Sequence, residues 1–146
     1  SWSVADVFQA AVRFLRGEVR HTPGKVRGFL SKPYAVSEPV TLKAADLKAA
    51  AETIDLDGFL PPELTVGGAR VGPGDFLRAA LEVLATGADA ATVAPADPLV
   101  ALDRFPPLRD FRPAGTWIYW PQFKDAYTSD RLRWQLWTMR YEPTIL

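Results

Sequence analysis

Residues 55–87 read DLDGFLPPELTVGGARVGPGDFLRAALEVLATG, and this stretch decides the fold. Leu64, Thr65 and Val66 lead into Gly67 and Gly68, and Ala69, Arg70 and Val71 follow. That is the pattern of two short strands joined by a primed two-residue turn. Gly72, Pro73 and Gly74 then close the hairpin and open a helix, with Pro73 near the first turn, where a missing N–H costs nothing. Phe76, Leu77, Ala80, Leu81 and Leu84 recur at helical spacing and predict its core-facing stripe, and Gly87 supplies the stop.

Upstream, Val7, Phe8, Ala11, Val12, Phe14 and Leu15 predict an amphipathic helix over residues 4–19, with Ser3 or Asp6 as N-cap. A second helix is predicted through LKAADLKAAAETI (42–54), with Thr41 as its cap and alanine density as its support. Between them lies KVRGFLSKPYAVSEP (25–39), whose prolines argue against regular structure.

Downstream, Pro95, Pro98, Pro106, Pro107, Pro113 and Pro121 recur too often for a long helix or central strand. Leu99, Val100, Leu102, Phe105, Leu108 and Phe111 need a surface to lie on, so residues 88–146 read as an ordered wrapping tail. Within it SDRLRWQLWTMRY (129–141) predicts a closing helix capped by Ser129. One stripe carries Leu132, Leu136 and Met139, and another carries Trp134, Trp137 and Tyr141. The expected fold is mainly α with a small β-hairpin: one domain over 1–146, with a helix-hairpin-helix unit at 41–87 and a long Pro/Trp-rich C-terminal segment closing the core.

Setting VADVFQAAVRFLR (4–16) beside PGDFLRAALEVLA (73–85) places Asp6 opposite Asp75, Ala10 and Ala11 opposite Ala79 and Ala80, and Leu15 opposite Leu84. Amphipathic helices resemble one another by chance, so duplication and coincidence both remain open readings.

The chain has 146 residues, 48% of them hydrophobic and 23% charged, a composition that folds as one domain. Its net charge is zero, whereas a nucleic-acid or membrane-surface partner would usually call for a basic excess. Basic residues concentrate at the two ends and acids in the middle, the pattern of terminal segments lying on an acidic centre. No apolar run approaches the roughly 20 residues of a membrane span. Asp6 and Arg13 interrupt what would be the apolar core of a signal peptide, and the abrupt start fits a piece of a longer precursor.

Cysteine is absent, which removes disulfides, thiolate nucleophiles and Cys-based zinc sites. The single histidine, His21, has no second His beside it and is not proposed as catalytic or metal-binding. Asp55, Asp57 and Gly58 look like the start of a calcium loop, but the later oxygen ligands and closing Glu are missing, and a capped helix exit accounts for them better. Neither GxSxG, GxGxxG nor a P-loop occurs, so no enzyme and no cofactor is expected.

The unit built from a helix, Leu60-Pro61, the hairpin residues Leu64, Thr65, Val66, Gly67, Gly68 and Val71, and a helix bearing Phe76, Leu77 and Leu81 resembles the pseudomurein-binding repeat. The resemblance covers residues 44–86 in one clear copy, where that family uses tandem copies. It implies a noncatalytic module attached to a cell-wall polymer, in an extracytoplasmic or wall-associated setting.

The aromatic residues Trp117, Tyr119, Trp120, Phe123, Tyr127, Trp134, Trp137 and Tyr141 cluster in the tail. Trp and Tyr combine a flat apolar face with a polar tip, as glycan or peptide ligands demand, so Trp117, Tyr119, Trp120, Trp134 and Trp137 are the candidate ligand contacts. Packing of the tail on the helices is the competing role, because large aromatics are mostly buried. Two functions follow: a module binding a wall polymer, glycan or peptide, or an interaction domain docking on a partner protein.

Overall fold

The structure is a computed structural model that describes residues 1–96, 131 and 134–140. Among these residues the chain forms three α-helices, four strands in two antiparallel pairs, and one 3-10 turn. The elements run α1 (Val4–Leu15), β1 (Val40–Lys43), α2 (Ala44–Glu52), β2 (Leu64–Val66), β3 (Ala69–Val71), α3 (Pro73–Thr86) and β4 (Ala90–Val93), then the turn Leu136–Thr138.

The expectation of a mainly α fold with one hairpin is corrected by a second pair, β1 with β4, in register from Val40 opposite Val93 to Lys43 opposite Ala90. Alternation explains it. Leu42, Ala91 and Val93 point into the core, while Thr41 and Thr92 stand outside and share a 2.8 Å hydrogen bond between hydroxyls. Thr41 is therefore a strand residue and not a helix cap. Lys43 is the N-cap of α2 and offers it no side-chain bond. Among the described residues, no helix is long and apolar enough to cross a membrane.

The hairpin β2–β3 turns on Gly67 and Gly68, whose φ values of 56° and 81° are both in the left-handed region that a type I′ turn requires. Gly87, at φ 69°, ends α3 as its composition predicts. α1 stops four residues short of expectation. Arg16 is its C-cap, and Gly17, at φ 87°, turns the chain away.

α1 and α3 start in the same way. Ser3 caps α1 in a capping box, where Asp6 Oδ2 accepts from the Ser3 N–H at 2.8 Å and Ser3 Oγ accepts from the Asp6 N–H at 3.1 Å. In α3 the N-cap is Gly72, which has no side chain to offer, yet Asp75 Oδ2 still reaches back to its N–H at 2.9 Å. Both aspartates are buried. Each also holds a distant segment: Asp75 accepts from the Val36 N–H at 2.9 Å, and Asp6 accepts from Arg140.

Past the first turns the two helices diverge. Val12 and Leu15 are buried, but their counterparts Leu81 and Leu84 are exposed; Phe14 is exposed, but its counterpart Val83 is buried. The stripe predicted for α3 is corrected accordingly, with Phe76, Leu77, Ala79, Ala80 and Val83 facing the core. Ala79 and Ala80 are buried on α3, which packs against α1, while the larger Leu81 and Leu84 stand outward.

Trp134 and Trp137 close this core, and Trp137, at 2% exposure, is among its largest side chains. Its ring meets Phe29 edge-on at 5.1 Å and Phe8 at 6.3 Å. Met139, expected on the other stripe, is exposed. Leu132, Ser129 and Tyr141 lie outside the described residues.

Candidate binding cleft

The exit of α2 is fixed by bonds from three other parts of the chain. Arg16 donates from Nε to the Ala51 carbonyl at 2.9 Å and from its terminal nitrogen to the Ile54 carbonyl at 2.5 Å, satisfying groups that a helix end leaves open. Gln9 Nε2 donates to the Leu56 carbonyl at 3.1 Å. The Leu60 N–H donates to the Gly28 carbonyl at 3.1 Å, and the Tyr34 N–H to the Pro62 carbonyl at 2.8 Å. Residues 51–62 contain no strand, and these bonds tie their backbone to Gln9, Arg16, Gly28 and Tyr34.

Between this segment and β2 lies an open cleft of ≈ 540 Å³, with Thr53, Asp55, Phe59, Pro61, Glu63 and Thr65 among its walls. The Phe59 ring is half exposed, with the Arg27 guanidinium 5.5 Å from its centroid. Asp55 Oδ1 accepts from the Asp57 N–H at 3.0 Å, a turn within DLDG that leaves Oδ2 at the edge of the cleft beside Gly58. Glu63 is paired with Arg70 at 2.7 Å, and Arg70 lies 4.0 Å above the Tyr34 ring. The cleft thus offers a flat apolar surface, two carboxylates as acceptors and the hydroxyl of Thr65. Thr53 Oγ1 donates to the Ala50 carbonyl at 2.7 Å.

The sequence points to other residues, the aromatics of the tail. Trp134 and Trp137 are buried, which leaves neither indole face for a ligand to stack on. Trp117, Tyr119 and Trp120 lie outside the described residues. Phe59 and Glu63 were legible only as members of DLDGFLPPE, where one aromatic stands among three acids and two prolines in a stretch too short for a helix.

His21 packs edge-on against Trp2 at 5.4 Å, and neither of its buried ring nitrogens has a hydrogen-bond partner. Burial, followed by the positive charge of Arg13, lowers its pKa against the opposing pull of Asp6 and Glu18. Among the described residues, no group of three His, Cys, Asp or Glu side chains converges as a metal site would require.

No protein-family model, no curated protein and no solved structure matches the chain.

Proposed function

We propose that this chain is a noncatalytic binding module and that its cleft receives a cell-wall polymer, through a sugar ring or a peptide cross-link. The observation that carries this reading is the half-exposed Phe59 ring set between Asp55 and Glu63 on a segment held in place at both ends. A preordered aromatic face with acceptors at its edge fits the apolar face and hydroxyl rim of a sugar, and stacking on it costs little conformational entropy. The cleft also falls inside residues 44–86, the unit that resembles the pseudomurein-binding repeat. The test is co-sedimentation with purified wall material. Phe59→Ala should abolish retention while the melting temperature stays within a few degrees, and equal retention of the variant would rule this cleft out.

A second reading is favoured by Leu81 and Leu84, two leucines exposed on the outer face of α3. Such a face suits docking on a partner protein. Replacing both with Lys should leave wall retention intact if the cleft binds the wall, and should abolish it if the chain is held there through another protein.

A further inference from the structure

The segment Trp134–Arg140 enters the core from far along the chain, because residues 94–133 separate it in sequence from the end of the β1–β4 pair. The residues that line its seat also have partners of their own. Asp6 and Ser3 complete their own capping box, Phe8 is held by Phe76 at 5.6 Å, and the loop carrying Phe29 is fastened by the Gly28–Leu60 bond. What the segment adds is an anchor at two points. Trp137 fills the space between Phe8 and Phe29, and three residues on, Arg140 grips the buried Asp6 carboxylate with bonds of 2.8 and 2.7 Å and also donates to the Gly24 carbonyl.

The occupant is imperfect in one respect. The indole Nε1 of Trp137 is buried and has no acceptor among the described residues, a cost that the solvated segment would not bear. The arginine side chain is 39% exposed, so the outer anchor is open to water while the carboxylate under it is sealed.

We propose that the groove between Phe8 and Phe29, ending at the Asp6 carboxylate, is a peptide-recognition surface that reads a tryptophan followed three residues later by an arginine, and that the chain's own Trp137 and Arg140 occupy it as a releasable ligand. A partner peptide with the same two side chains at the same spacing displaces the segment. Occupation in cis sets the threshold, because a ligand on the same chain competes intramolecularly and is not diluted.

The experiment uses the full chain and a fluorescent peptide, RLRWQLWTMR, the sequence of residues 131–140. The double variant Trp137→Ala, Arg140→Gln should bind the peptide at least tenfold more tightly than the native chain, and adding Asp6→Asn should remove most of that gain. Equal weak binding to native and variant chains overturns the proposal. Hydrogen exchange on the native chain decides the matter even if the variant fails to fold. The amides of residues 134–140 should exchange at least tenfold faster than those of mid-α1, and matched rates would show the segment to be inseparable core.

Discussion

Arg140 closes on Asp6 with two hydrogen bonds, joining residues 134 positions apart at the N-terminus of the first helix. The carboxylate it meets is buried, and the arginine is the chief cause that holds the Asp6 pKa well below the usual carboxylate range, ahead of the opposing effect of burial.

The pH dependence follows from that direction. The folded state favours ionised Asp6, so its stabilisation is complete above the ordinary value of 3.8 and is lost as the pH falls below it. Arg140→Gln should bring the folded pKa closer to the ordinary value. The variant should therefore lose less stability between pH 4.5 and 2.5 than the native chain, as read from urea midpoints across that range. Parallel curves would show that the pair does not couple to folding.

His21 acts in the next window up. Its pKa is lowered from 6.5, so the fold prefers the neutral ring, and stability should be full above that value and decline as the pH drops through it. His21→Phe keeps the edge contact with Trp2 and removes two unpartnered nitrogens. The melting temperature of the variant should be at least that of the native chain at pH 7.5 and should fall less on going to pH 5.5.

The two faces of α3 should respond very differently to truncation. Phe76→Ala should cost about 3–5 kcal/mol, because Phe76 is fully buried against Phe8. Leu81, at 43% exposure, should cost roughly 0.5 kcal/mol or less on replacement by Ala. Chemical denaturation of both variants measures the difference directly.

Gly72 and Gly68 should be intolerant for different reasons. A Cβ on Gly72 would lie 1.6 Å from the Tyr34 carbonyl oxygen, so Gly72→Ala must push the Tyr34 loop away from the hairpin and should cost about 1–3 kcal/mol. Gly68 has open space around it but sits at φ 81°, so Gly68→Ala should cost only the backbone strain, about 1 kcal/mol. Arg70 stacks on Tyr34, so in Gly72→Ala its effect should be visible in the near-ultraviolet circular dichroism of tyrosine, and in Gly68→Ala it should not.

The parts legible in the sequence are those written in neighbouring residues. Gly67-Gly68 between β-formers, Pro73 and Gly87 around an apolar repeat, and Ser3 with Asp6 are local signals, and each produced the element it announces. The β1–β4 pair was not legible, since Val40 and Val93 are 53 positions apart and neither VTLK nor AATV is distinctive alone. The outward turn of Leu81 was hidden for a related reason: both stripes of α3 are apolar, and the choice between them depends on how α3 seats on distant elements, which periodicity does not carry. The cleft escaped because Phe59, Asp55 and Glu63 are ordinary loop residues until Gln9, Arg16, Gly28 and Tyr34 fasten their backbone.

The β1–β4 pair also closes the path of the chain into a loop. Lys43 and Ala90 are strand partners, so the stretch running from α2 through α3 leaves and returns to the same place, with its two ends about 5 Å apart. The two strands close the neck of that stretch, and the core residues it carries, Leu47, Val66, Val71 and Phe76, form one cluster with Phe8 and Val12 of α1. Geometrically the stretch is a closed loop of the fold, entered and left at one edge of the β1–β4 pair.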